Sequence, residues 1–193
     1  VEGMPDRHPW EDPAWVAALR EFARQLGLED QDLPLLRLAL THSSLSSQAE
    51  GDNERLEFLG DAVLGMVVSD VLYARHPNAS EGELTRMRAT IVRESTLAGI
   101  ARGLALGDAL RLGQGELASG GFRRDSILAD AFEAVVGAVF LDAGIDAVRR
   151  VLAPLLEPAL AALVAGRVDK DAKTALQERL QADGIALPVY TLV

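Results

Sequence analysis

Residues 12–165 are predicted to form an all-α domain, and three observations carry that prediction. Apolar residues recur at helical spacing, as in Trp15, Leu19, Phe22, Ala23 and Leu26. Stretches of this kind open on capping residues and close on glycine or proline. No convincing strand pattern appears before residue 185.

Taken in order, the first helix opens at Asp12-Pro13, a cap followed by proline at the first helical position, and ends at Gly27. Leu33 to Leu40 is a second, short apolar helix, and the polar stretch Ser43 to Asp52 reads as a loop. Asn53 or Asp52 caps a long helix that runs to about Tyr73 and stops before Pro77. Ser80-Glu81-Gly82-Glu83 has the capping-box pattern and opens a helix to about Val92. Another helix runs from about Ser95 to Gly103. Gly113 to Gly121 is glycine-rich and polar and reads as a loop. Asp125 or Ser126 caps the next helix, which runs to about Asp142, with Gly144 as its stop. Ile145 to Val164 is apolar-periodic again, with Pro154 and Pro158 expected to bend it. Ala165 to Asp171 reads as a polar linker, Ala172 to Ala182 as one amphipathic helix, and Leu187 to Val193 as the start of a strand. A lone helix and strand cannot bury a core of their own, so this tail is expected to begin a second domain that is incomplete here.

Composition narrows the function classes. The 193 residues are 49% apolar and 25% charged, which excludes a disordered or collagen-like chain. No apolar run approaches the roughly 18 residues of a membrane-spanning helix. The absence of cysteine excludes disulfides, thiolate zinc and a cysteine nucleophile. The opening residues are acidic and carry no signal-like apolar stretch, so a cytoplasmic protein is expected, with Met4 as its natural start.

The net charge of −10 speaks at first against nucleic acid as partner. Its distribution softens that objection. Residues 1–61 carry 5 basic and 13 acidic residues, whereas residues 62–193 carry 14 and 16. Of the 19 basic residues 17 are arginine, which makes planar, bidentate contacts with phosphates and carboxylates.

Chemistry concentrates on two helices. Glu54, Glu57 and Asp61 fall within an arc of roughly 60° at 3.6 residues per turn. Their neighbours on nearly every other side are apolar, the pattern of a buried helix. On the later helix Asp130 and Glu133, three apart, share a face among apolar neighbours. Buried acids at close spacing resist ionisation, and a divalent cation removes that cost. Hard oxygen ligands suit Mg²⁺ or Mn²⁺, and several carboxylates with divalent metal suit phosphoryl transfer or phosphodiester hydrolysis. The alternative is a solvated acidic face, which spacing alone leaves open.

The nine residues Asn53-Glu54-Arg55-Leu56-Glu57-Phe58-Leu59-Gly60-Asp61 resemble the signature of the ribonuclease III family. Four more stretches fit it in the same order: Thr41-His42-Ser43-Ser44, Arg86-Met87-Arg88-Ala89, Ser119-Gly120-Gly121-Phe122-Arg123-Arg124, and Leu128-Ala129-Asp130-Ala131-Phe132-Glu133-Ala134. Asp171 to Glu178 resembles the first helix of a double-stranded-RNA-binding domain, and Pro188-Val189-Tyr190 its first strand. The resemblance implies a nuclease domain over 12–165, a linker over 166–171 and an incomplete α+β RNA-binding domain over 172–193.

It further implies an all-α, dimeric endonuclease that cuts double-stranded RNA with Mg²⁺, with Mn²⁺ as a substitute and no small-molecule cofactor or membrane. The expected products carry 5′ phosphate and 3′ hydroxyl ends, and the expected roles are in ribosomal and messenger RNA processing. Glu57, Asp61, Asp130 and Glu133 match the family's metal ligands, with Glu54 and Glu81 as supporting acids. Arg86, Arg88, Arg123 and Arg124 are candidate phosphate contacts, each with a surface salt bridge as the alternative. Thr174, Gln177 and Glu178 share a helical face expected in the minor groove. Phe58, on the carboxylate side of its helix, is expected to enter a pocket of the partner subunit, although spacing alone would favour a core phenylalanine. His8, His42 and His76 lie outside the acid clusters and are not expected to act as bases. Two other classes compete with the nuclease: a structural RNA binder, which would lack the acid set kept here, and an acidic scaffold for proteins, which would bind neither duplex RNA nor Mg²⁺.

Overall fold

A computed structural model describes the backbone of residues 12–28, 34–45 and 51–182, with side chains through residue 163. The chain divides into two compact units, one ending at Leu155 and the other beginning at Leu156.

Among the described residues the first unit is helical, as expected. Helix α1 (Pro13–Gln25) starts where Asp12 Oδ1 accepts the amide of Ala14 at 2.9 Å. All five apolar positions named from its spacing are buried. The Trp15 indole donates to the Ala109 carbonyl at 2.9 Å and ties α1 to the short helix α6 (Leu106–Ala109). Helix α2 (Pro34–Ala39) leads into a 3-10 turn, Ser43–Leu45. Thr41 pairs with Arg111 in an isolated parallel bridge, closed by His42 N donating to Arg111 O and Arg111 N donating to Leu40 O.

Helix α3 (Glu54–Arg75) is the central element. Asn53 occupies its cap position, yet Asp52 Oδ1 is the side-chain atom that accepts the amide of Glu54. Helix α4 (Glu81–Ile91) carries the expected capping box, with Ser80 N donating to Glu83 Oε2 at 2.7 Å and Glu83 N to Ser80 Oγ at 3.4 Å. It packs against α3 and against α5 (Glu94–Gly103).

The polar stretch 113–121, expected to be a loop, holds a short helix α7 (Gln114–Ala118) before a 3-10 turn, Gly121–Arg123. Helix α8 (Asp125–Ala182) follows, with non-helical angles at Gly144 alone. The expected stop is therefore a break. Its φ of 75° belongs to a region that side chains with a Cβ rarely enter. Helical angles continue through Pro154 and Pro158 and through residues 166–171, expected to form a linker. Residues 156–182 of the second unit are helical, and the expected strand after Leu187 lies outside the described residues.

Two glycines set the crossing of α3 and α8. A Cβ on Gly60 would coincide with the Glu133 carbonyl oxygen, and one on Gly137 would strike the Leu56 carbonyl. Backbones this close leave no room for any side chain. The crossing places Glu57, one turn before Gly60, beside Glu133, one turn before Gly137.

The expectation that α3 is buried almost all round is corrected. Leu56, Val63, Leu64, Val67 and Leu72 are buried. Phe58 is 82% exposed, Tyr73 74% and Met66 49%. These three lie within roughly 80° of one another on the helix. The chain leaves an apolar stripe in water, the mark of an interaction face.

Candidate metal centre

Glu57, Asp130 and Glu133 each offer a carboxylate oxygen, and the three oxygens lie within 4.8 Å of one another. All three residues are half-buried. The Gly60–Gly137 crossing draws α3 and α8 together, and the spacing of three in Asp130 and Glu133 turns both toward α3.

The charges oppose one another. Burial, then the charges of Asp61, Asp130 and Glu57, pushes Glu133 up to about 7. Glu57 is raised by burial, then by Asp130, Glu54 and Asp61. Asp130 is raised by burial and by Glu94, and His42 works against that rise. A group of acids that cannot all ionise comfortably is one that a cation would stabilise. An all-carboxylate donor set fits a hard divalent ion.

The structure places the other expected site residues as follows. Asp61 is exposed and outside the three-oxygen group, although its charge reaches Glu57 and Glu133. Glu54 is exposed and acts on Glu57. Glu81 stands apart at the start of α4, where its Oε1 accepts the Thr85 hydroxyl at 3.0 Å. Arg88 donates to Ser69 Oγ at 3.1 Å and holds α4 to α3. Arg124 is paired with Glu116 at 3.1 Å. Arg86 and Arg123 form no ion pair among the described residues. The backbone of Thr174, Gln177 and Glu178 is helical, while their side chains lie outside the described residues.

Two residues near the acids were not assigned from sequence. His42 lies outside the acid clusters in sequence and is not expected to act as a base, yet its charge bears on Asp130. Its Nδ1 accepts the Ser44 amide at 3.1 Å. Glu94, the first residue of α5, acts on Asp130 in the opposite sense and raises it. The stretch Thr41 to Ser44 was part of the resemblance and could have signalled His42. Nothing in the local pattern marks Glu94.

A family model described as Ribonuclease-III-like matches residues 32–159. The chain belongs to the ribonuclease III family of endoribonucleases. It is 58% identical over 179 residues to a Ribonuclease 3 of Methylococcus capsulatus, covering 92% of this chain and 76% of that protein. A Ribonuclease 3 of Pseudomonas fluorescens is 50% identical over 178 residues, with the same two coverages of 92% and 76%. Among solved structures, the ribonuclease III nuclease domain of Campylobacter jejuni superposes with a TM-score of 0.68 at 40% identity, over 72% of this chain and 96% of that one. A Dicer from Pichia stipitis gives 0.54 at 30% identity, over 70% of this chain and 59% of that one. The divalent metal implied by the family agrees with the donor set of Glu57, Asp130 and Glu133.

Proposed function

We propose that this ribonuclease III-family chain hydrolyses phosphodiester bonds of double-stranded RNA with Mg²⁺, leaving 5′ phosphate and 3′ hydroxyl ends. The convergence of Glu57, Asp130 and Glu133 from α3 and α8 carries this reading. Those three acids would hold the ion, and Asp61, one turn beyond Glu57, adds charge beside them. A bound divalent cation supplies Lewis-acid stabilisation of phosphoryl oxygens and a water of lowered pKa. Mn²⁺ would substitute, because the ligands are the same hard oxygens. Glu54 adds negative charge around the cluster, and Glu81 keeps a supporting role on the strength of the family resemblance alone. Arg86 and Arg123, which form no ion pair among the described residues, carry guanidinium groups suited to the phosphate backbone. In the tail, Thr174, Gln177 and Glu178 belong to the first helix of an RNA-binding domain over 172–193. The cellular setting is the cytoplasm, in ribosomal and messenger RNA processing and decay. No helix among the described residues is long and apolar enough to cross a membrane.

The experiment is cleavage of a plain RNA duplex in Mg²⁺ and in chelator. The expected result is paired cuts in Mg²⁺ alone. Cleavage that survives chelation, or that spares duplex while cutting single strands, would contradict the reading.

The proposed assembly is a homodimer through the exposed stripe of α3. The Campylobacter jejuni domain has a region involved in dimer formation. Here the support is Phe58, which is 82% exposed beside Glu57 and outside the chain's own core. A two-fold interface repeats the acid cluster, and a duplex needs one cut on each strand. Sedimentation at micromolar concentration should show about twice 20.6 kDa. Phe58→Ala should weaken the dimer and Phe58→Asp should weaken it further. A monomeric wild-type chain that still makes paired cuts would defeat this arrangement.

A further inference from the structure

The turn at residues 121–124 is held from two sides. On one side Arg102, in the last turn of α5, donates from Nη2 to the Arg123 carbonyl at 3.3 Å and to the carboxylate of Asp125, the first residue of α8. On the other, Glu116 Oε2 of α7 pairs with Arg124 Nη1 at 3.1 Å, and Arg124 Nη2 donates to Ser119 Oγ at 3.2 Å. Arg124 is thereby committed to the protein. Arg123 has no carboxylate among the described residues, and its guanidinium lies 4.9 Å from the centre of the Phe122 ring. A guanidinium stacked on a ring keeps its edge donors free for phosphate oxygens.

The two adjacent arginines therefore have different tasks. We propose that Arg102 is a positioning residue for RNA binding: by tying the Arg123 carbonyl to the start of α8, it aims the Arg123 guanidinium at a phosphate on the strand held against Asp130 and Glu133. The inference rests on the double-stranded-RNA reading above. Arg102 is not proposed to touch RNA itself: its guanidinium is engaged by the Arg123 carbonyl and the Asp125 carboxylate. Asp125 lies five residues before Asp130 on the same helix, about 7.5 Å along its axis, so the contact anchors the Arg123 turn to the element that carries two of the acids.

The test is steady-state cleavage of an RNA duplex in Mg²⁺ at several salt concentrations. Arg123→Met should raise KM roughly tenfold and flatten the salt dependence of kcat/KM by about one unit of log–log slope, as loss of one phosphate contact does. Arg102→Met should raise KM about fivefold with kcat within about twofold of the wild type. Arg102→Lys should recover most of that loss, because an ammonium still reaches Asp125. In an Arg123→Met background, Arg102→Met should add nothing further. If Arg102→Met does not fold, Asp125→Asn breaks the same pair and should show the same KM-selective, non-additive loss. Additive effects, or a fall in kcat at unchanged KM, would overturn the inference while leaving the nuclease reading intact. A wild-type chain that neither binds nor cuts duplex RNA would overturn both.

Discussion

Gly60→Ala is expected to destabilise the chain by about 3 kcal/mol or more, because overpacking against rigid backbone cannot be relieved by a rotamer change. The new methyl would coincide with the Glu133 carbonyl oxygen, and the facing Gly137 has the same constraint from Leu56. To survive, α3 and α8 must separate, which pulls Glu57 away from Asp130 and Glu133. Thermal unfolding should show the loss, and any folded remainder should lose cation affinity. Gly65→Ala on the same helix is the control, since nothing lies within 4 Å of a Cβ there. That change should be neutral or stabilising by up to about 1 kcal/mol. Equal melting temperatures for the two variants would refute the close crossing.

Glu133→Gln is expected to keep the fold and remove roughly 99% or more of cleavage. The amide has the size of the carboxylate but not the charge a cation requires. Removing the burial cost and the repulsion by neighbouring acids that together push Glu133 up to about 7 should leave the metal-free chain at least as stable as the wild type near neutral pH. Loss of activity with retained or increased stability separates a ligand from a packing residue. Asp61→Asn should also impair cleavage strongly, acting from outside the three-oxygen group. Near-normal turnover of Glu133→Gln in Mg²⁺ would defeat the assignment.

The pH dependence follows from the same residue. Glu133 is raised in the folded state, so between about 4.5 and 7 the native chain binds more protons than the unfolded one. The stability of the metal-free protein should therefore fall as pH rises through that window. A bound cation displaces the proton, so metal should stabilise the chain more at pH 7.5 than at pH 5.5. Melting curves at the two pH values, with and without Mg²⁺, test the sign.

Much of this was legible in the sequence, for physical reasons that differ between elements. Helix α1 could be read because its buried positions follow one 3.6-residue stripe from a capped start. The acids on α3 and α8 stood out because their flanks are apolar, but spacing alone left a solvated face open, and it was the resemblance that named them as candidate metal ligands. The short helix α7 was missed because glycine and serine around residues 113–121 argue against helix, while contacts with the neighbouring turn stabilise it. Residues 166–171 looked like a linker because they are polar, yet no proline falls among them and the helical backbone runs through. The meeting of Gly60 with Gly137 depends on two distant segments and leaves no local trace. Nor does the approach of His42 and Glu94 to Asp130. The exposure of Phe58 escaped the helical pattern because periodicity marks an apolar face without saying whether this chain or a second one covers it.

Calorimetric titration of Mn²⁺ into the wild-type chain and into Glu133→Gln at pH 7, in two buffers of different ionisation enthalpy, tests the central claim most directly. The wild type should bind the ion with release of a fraction of a proton, since a carboxyl raised to about 7 must ionise to become a ligand. Glu133→Gln should bind at least tenfold more weakly, with that proton release gone. Equal affinity and equal proton release in the two proteins would place the metal elsewhere and contradict the account.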